Sequence, residues 1–296
     1  MRHRVADIDG PVHYLDFGGS GRPVLMVHGL AGAAINWMAV GPSIATTHRA
    51  LAIDLAGFGQ TPLFGRSATV SANTALVHEF ITTVIGKPVV LIGNSMGGHI
   101  GVLEAASHPD SVDALVLVDP AVPGVHVTRP QPLMLATMAA LSVPGLAQNL
   151  VGRRVRELGP EKLVRQTLAL VCADPSRVDP RVVDAHIQLT RERGHLGAQN
   201  VRALVQASRA IGIGMASPRF WSRVTAVKAP TLVIHGGADH VIPVSAAREL
   251  IRRRPEWQLR VLEGVGHVPM METPDLFLEA LTSSSAFRIP SAAAAS

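Results

Sequence analysis

Ser95 lies in Gly93-Asn94-Ser95-Met96-Gly97-Gly98, directly after the apolar run Val89-Val90-Leu91-Ile92 and directly before a helix-like stretch. A serine on a sharp strand-to-helix turn needs small neighbours, because the backbone there is strained and passes close to other elements. Such a turn lifts the hydroxyl above the edge of a sheet. The first turn of the following helix favours negative charge developing beside it. The chemistry this suits is nucleophilic attack by the serine oxygen.

A hydroxyl used in this way needs a base, and the base needs an orienting partner. With 13 histidines in the chain, a histidine alone says little. His267 is distinguished by its place in Gly264-Val265-Gly266-His267-Val268-Pro269, just past strand-like residues 259–262. Loops at the carboxyl ends of strands are where open α/β sheets bind their ligands. His99 and His108 fall in or just after the helix that follows Ser95, and His28, before Gly29, reads as a structural loop residue.

Two candidates for that partner stand at strand ends. Asp239 sits in His235-Gly236-Gly237-Ala238-Asp239-His240, and Asp119 ends the run Ala114-Leu115-Val116-Leu117-Val118. Asp239 gives the chain order Ser, Asp, His with the acid after the penultimate strand, and is the preferred partner. Asp119 is the alternative acid; otherwise it caps or hydrogen-bonds within the loops. Donors for an oxyanion are expected from the backbone N–H groups of Met96 and of Leu30, the latter in His28-Gly29-Leu30-Ala31-Gly32.

These residues need a frame, and the hydrophobic pattern supplies one. Residues 24–27, 50–53, 89–92, 114–118 and 231–235 are short, continuous apolar runs, the pattern of strands covered on both faces in a parallel sheet. Residues 12–17 alternate like an edge strand, and 259–262 read as a further strand. Helical patterns occupy 71–85, 95–107, 245–254 and 275–281. From 121 to about 223 helix-like pieces broken by Pro and Gly follow one another with no such strand. The predicted organisation is a core domain of residues 1–120 and 224–284, a helical insertion at 121–223, and a frayed tail at 285–296.

Composition narrows the class. Hydrophobic residues make up 47% of the 296 and charged residues 17%, below the usual share of about 25%. A chain this apolar can bury a substantial core. The net charge of +5 is scattered Arg, with Lys only at positions 87, 162 and 228. The clusters Arg153-Arg154 with Arg156 and Arg252-Arg253-Arg254 read as solvated helix faces, so no nucleic-acid partner is expected. Cys172 is the only cysteine, which rules out an intramolecular disulfide and a cysteine-based zinc site. The N-terminus lacks the apolar core of a signal peptide. The charge-free residues 131–152 contain Pro132, Pro144, Gly145, Gln148 and Asn149, and read as buried or substrate-facing helix, not as an integral membrane segment. A cytoplasmic location is expected. The pattern specifies no oligomeric state.

His28-Gly29, Asp54-Leu55-Ala56-Gly57-Phe58-Gly59-Gln60-Thr61, the Gly93–Gly98 turn, Gly236-Gly237-Ala238-Asp239 and Gly266-His267 together resemble the successive signatures of the α/β-hydrolase superfamily over residues 12–281. The resemblance implies an α/β fold, a mostly parallel sheet flanked by helices with an inserted helical cap. It implies a serine hydrolase with Ser95, Asp239 and His267 as triad, needing no metal or organic cofactor. Epoxide hydrolases and haloalkane dehalogenases carry a carboxylate at the turn, and the only tyrosine here, Tyr14, lies outside the insertion. The Gly-Asn-Ser-Met-Gly-Gly wording is similar to that of carbon–carbon hydrolases of ring-cleavage products. Those usually carry Trp after the histidine, where this chain has Val268. The preferred expectation is a hydrolase of carboxylic esters of apolar small molecules, with Met134, Leu135, Met138 and Leu141 lining a pocket. The alternatives are carbon–carbon bond hydrolysis and a slow, ligand-binding hydrolase that serves as a receptor.

Overall fold

In a computed structural model that describes residues 1–123, 146–194 and 197–287, the apolar runs assemble into one eight-stranded sheet. Its strands are β1 (Arg2–Asp7), β2 (Pro11–Gly18), β3 (Pro23–Val27), β4 (Arg49–Ile53), β5 (Val89–Asn94), β6 (Val112–Val118), β7 (Thr231–Gly236) and β8 (Gln258–Leu262). The order across the sheet is β1-β2-β4-β3-β5-β6-β7-β8. The pairs β1–β2 and β2–β4 are antiparallel, and every pair from β4 to β8 is parallel.

The continuous apolar runs follow from burial on both faces. Val24, Met26, Val90, Ile92, Val116 and Ile234 pack on one side with Trp37, Phe277 and Leu281, while Leu25, Val27, Leu91, Leu115 and Val233 pack on the other. That other face is covered by α2 (Val70–Glu79), α3 (Met96–Ser107) and α8 (Ser245–Arg253), through Leu76, Val77, Ile100, Val102, Ala246 and Leu250. Helix α1 (Gly41–Ile44) and α10 (Pro274–Thr282) lie on the first face through Ile44, Phe277 and Leu281. A single β-period would have left one face polar. None of these central strands does.

Strand β1 is absent from the sequence reading. Its burial is almost uniformly low, so no alternation marks it, and it forms only because β2 offers a free edge. Arg2 and Arg4 then sit on the outermost strand, where charge discourages further pairing. Ala286 and Phe287, placed in the tail by the sequence pattern, are buried, and Phe287 stacks on His48 with ring centroids 4.4 Å apart. Residues 288–296 lie outside the described residues.

Between β6 and β7 the described chain is helical: α4 (Leu146–Val171), α5 (Pro180–Arg193), α6 (Gly197–Ala216) and α7 (Arg219–Ala226). Gly159, at φ 70°, and Pro160 break α4 into two pieces. The prospective pocket residues Met134, Leu135, Met138 and Leu141 lie outside the described residues. No helix among the described residues is long and apolar enough to cross a membrane.

The chain steps from β3 to β4 on one side and returns to β5 on the other, so the strand order reverses between β3 and β5. Loops leaving the carboxyl ends of these two neighbours diverge and open a crevice there. The loop after β3 carries His28 to Gly32, and the turn after β5 carries Ser95.

Histidine burial gives this fold an acid limit. His99, on α3, stacks on Phe220 with centroids 4.0 Å apart, and burial pushes its imidazole down to about 4. Burial also lowers His28, His186 and His235. Between pH 6.5 and about 4 the unfolded chain binds these protons before the folded chain does. The contribution of these histidines is therefore full above pH 6.5 and is lost as the pH drops, with His99 alone accounting for a loss of about 3 kcal/mol by the lower end. We expect the melting temperature of His99→Gln, which keeps a donor for the Ala121 carbonyl, to fall less steeply than wild type between pH 7 and 4.5. Parallel curves would contradict this.

Candidate active site

Ser95 adopts φ 54° and ψ −113°, a conformation that a residue with a side chain takes only when its surroundings compel it, at a cost of roughly 1–3 kcal/mol. Its amide donates to the Val118 carbonyl at 2.9 Å, while its carbonyl accepts from His99 and Ala121, each at 3.1 Å. The flanking glycines are steric necessities. A Cβ on Gly93 would stand 2.3 Å from the Gly97 oxygen, and one on Gly97 would stand 2.4 Å from the Val27 oxygen. The chain turns so tightly from β5 into α3 that only hydrogen fits. Helix α3 starts at Met96, and its first amides face the crevice end of the sheet.

The loop after β3 is fixed by His28, as the sequence suggested. Leu55 N–H donates to His28 Nε2 at 3.1 Å, so Nδ1 carries the proton and donates to the Gly29 carbonyl at 2.7 Å. Gly32 N–H also donates to that carbonyl at 3.1 Å. A trans peptide puts C=O and N–H on opposite sides, so anchoring the Gly29 oxygen turns the Leu30 N–H the other way. Gly29 lies against the turn: a Cβ there would be 3.0 Å from Ser95 Cβ. Both backbone groups named as oxyanion donors, Leu30 and Met96, therefore flank the Ser95 turn.

His267 Nδ1 donates to Asp239 Oδ2 at 2.6 Å, and both residues are buried. Asp239 Oδ1 accepts from the amides of Val241 at 2.7 Å and Ile242 at 3.0 Å. Burial pushes the Asp239 carboxyl up, but the His267 charge and hydrogen bond, with His235 and the Ile242 amide, outweigh it and hold it below the ordinary range. The carboxylate is thus ionised, and it fixes the tautomer that leaves His267 Nε2 without a proton. Asp119 occupies a different place. Its Oδ1 accepts from Gly236 N–H at 2.8 Å, at the start of the loop that carries Asp239.

Two residues outside the sequence reading hold this arrangement. Asn94, next to Ser95, donates through Nδ2 to the His267 carbonyl at 3.0 Å and the Val118 carbonyl at 3.2 Å, so the turn and the histidine loop share one clamp. Glu272, on α9 (Pro269–Glu272), is buried and accepts from the amides of Gly266 at 2.8 Å, Ala173 at 3.1 Å and Asp174 at 3.0 Å. His267 N–H donates to the Val171 carbonyl at 2.7 Å. The end of α4 is thereby stitched to the histidine loop, so closely that a Cβ on Gly266 would be 2.5 Å from the Ala173 nitrogen. A glutamate within the apolar run Pro269-Met270-Met271 was the available sequence signal for Glu272. Cys172 lies in the same seam, but burial, then Glu272 and Asp174, push its thiol up to about 12, so it is no thiolate competitor to Ser95.

The profile of the Alpha/beta hydrolase family matches residues 24–280, and the chain belongs to that family. It is similar to the 2-hydroxy-6-oxo-6-(2'-aminophenyl)hexa-2,4-dienoic acid hydrolase of Metapseudomonas resinovorans, 27% identical over 90% of this chain and 84% of the relative. It is also similar to the pimeloyl-[acyl-carrier protein] methyl ester esterase of Aeromonas hydrophila subsp. hydrophila, 25% identical over 88% of this chain and 94% of the relative. Among solved structures, a membrane phospholipase A aligns with TM-score 0.73 at 25% identity, over 95% of this chain and 84% of the other.

Removing the Glu272 carboxylate leaves three amides without their acceptor. We expect Glu272→Ala to lower the unfolding free energy by about 3 kcal/mol, with Glu272→Gln intermediate because one carbonyl acceptor remains. Denaturant melts of the three proteins measure this; equal stability would show the seam to be dispensable.

Proposed function

We propose that this chain is a cytoplasmic serine hydrolase that cleaves carboxylic esters of apolar small molecules through an acyl-enzyme, without metal or organic cofactor. The observation that carries the reading is the His267–Asp239 hydrogen bond, clamped through Asn94 to the turn that forces Ser95 out of ordinary backbone geometry. In the proposed reaction His267 Nε2 takes the Ser95 proton as Oγ attacks the ester carbonyl carbon. The Leu30 and Met96 amides stabilise the oxyanion, and Asp239 stabilises the imidazolium. Collapse expels the alcohol, which receives the proton from His267. Water then attacks the acyl-enzyme by the same route and releases the acid. The helical insertion of residues 121–223 serves as a cap over the acyl chain, in keeping with its charge-free stretch at 131–152. The Aeromonas hydrophila relative, by name a methyl ester esterase, supports ester cleavage.

A second reading, carbon–carbon bond hydrolysis, is favoured by one cation. Arg193, at the end of α5, donates to the Gly57 carbonyl and to Asn200 Oδ1, each at 2.6 Å; burial lowers the His28 pKa, and the Arg193 charge adds to it in the same direction. A guanidinium beside the loop after β3 suits an acidic substrate such as the dienoic acid in the name of the Metapseudomonas resinovorans relative. Val268 after the histidine favours the ester reading.

Steady-state and burst kinetics on p-nitrophenyl esters of increasing chain length, beside a ring-cleavage dienoate, separate these readings. We expect multiple-turnover ester hydrolysis with a burst of one alcohol per chain. Dienoate turnover far above that of every ester would establish the second reading, and a burst without turnover would establish the slow receptor. Activity should rise with pH, because the base that takes the Ser95 proton must be neutral to accept it. Asp239→Asn should lower kcat by about two to four orders of magnitude with the fold retained, because the wrong imidazole tautomer then faces Ser95. A nearly silent Asp239→Asn would remove Asp239 from the triad.

A further inference from the structure

Asp119 is fully buried directly behind the proposed triad and takes φ 46°, so the fold holds a carboxyl there against both solvation and backbone preference. Its two oxygens are treated differently. Oδ1 accepts from Gly236 N–H at 2.8 Å, whereas Oδ2 is buried with no hydrogen-bond partner. The groups facing it are Asp239, His235 and, further off, Glu272. Asp119, His235 and Asp239 place their polar atoms within 4.8 Å of one another.

His235 cannot compensate an Asp119 anion. Its Nε2 is 3.0 Å from the Ile242 carbonyl and 3.6 Å from Asp119 Oδ1, so its proton is spent on the carbonyl. Burial favours the neutral ring. An ionised Asp119 would therefore be an unpaired buried charge beside the Asp239 carboxylate, which already has His267 and two amides as donors. Two carboxyls this close, in so dry a place, hold a proton on one of them. Asp239 has the donors that stabilise an anion, and Asp119 has an oxygen with none.

We propose that Asp119 is a neutral carboxylic acid whose Oδ2–H donates to Asp239, a positioning residue that keeps Asp239 the single anion behind His267. The role in turnover rests on the triad reading above, whereas the protonation state does not. Burial first, then the Asp239 charge, push the Asp119 carboxyl well above the ordinary carboxylate range, in the direction the geometry requires. The proton is not transferred in the reaction. The hydrogen bond pins the Asp239 carboxylate in the plane that meets His267 Nδ1, and it lowers the basicity of that carboxylate, so the Nδ1 proton stays on the ring while Nε2 exchanges its proton with Ser95 and the leaving group.

The first test is carbon-13 NMR of aspartate carboxyl carbons in the intact protein, with the Asp119 signal assigned by its loss in Asp119→Asn. We expect that signal to hold the protonated shift from pH 6 to 8. An ionised shift anywhere in that range overturns the proposal, whether or not Ser95 is the nucleophile. The second test is kinetic. Asp119→Ala removes the donor and should lower kcat roughly tenfold with little change in KM. Asp119→Asn replaces O–H by N–H in the same shape and should restore most of that loss, with the acidic limb of the pH–rate profile unmoved. Were Asp119 an anion, Asp119→Asn would remove a negative charge near His267 and move that limb to lower pH, which overturns the proposal. So does wild-type kcat in Asp119→Ala. Should the alanine variant fail to fold, the NMR signal and the asparagine pH profile still decide.

Discussion

The organising constraint is the backbone of Ser95. A side chain at φ 54° is tolerated only because the surrounding contacts leave the chain no other route. Gly93 lets Gly97 approach, Gly97 lets β3 approach, and the Ser95 amide is tied to the end of β6. Strands β3, β5 and β6 must therefore lie side by side before the turn can exist, and they are adjacent at the reversal of strand order. Much of the remaining site is hung from this point. Gly29 packs on Ser95, and Asn94 reaches the carbonyl of His267.

A second dependence runs sideways, from the inserted helices to the histidine loop. Val171, Ala173 and Asp174, at and after the end of α4, are bonded to His267 and Glu272. His186 on α5 bonds Asn36 at 3.2 Å, and Arg193 bonds Gly57. The insertion is thus fastened to the sheet through buried polar contacts that leave little slack at the histidine. Asp54 plays the matching part below β4. It accepts from His13 Nδ1 and Ala34 N–H at 2.6 Å and from Gln60 N–H at 2.8 Å, with Gly59 leaving it room. The Asp54–Gly59 signature is accounted for as loop architecture, leaving the chemistry to the residues around Ser95.

What could be read from the sequence was what depends on local pattern. The apolar runs marked β3 to β7 because both faces of those strands are buried, and Gly-x-Ser-x-Gly marked a turn that no other residues can make. Chain order favoured Asp239 over Asp119 as the partner of His267, and His267 and Asp239 share a hydrogen bond. Asn94 and Glu272 escaped because their partners are 173 residues and up to 99 residues away, and backbone carbonyls and amides carry no sequence signature. Strand β1 escaped because an exposed edge strand has no burial pattern to show. The Asp119 environment was invisible for the same reason. Whether a strand-end aspartate is ionised depends on which groups three other strands and loops bring against it.

The central claim is that this strained serine is the nucleophile. Treating the folded protein with a fluorophosphonate, digesting it and mapping the adduct by mass spectrometry tests that directly. The account predicts one adduct per chain, on the peptide containing Ser95, absent after prior unfolding and absent in Ser95→Ala. An adduct on any other residue, or one that persists undiminished in folded Ser95→Ala, would contradict it.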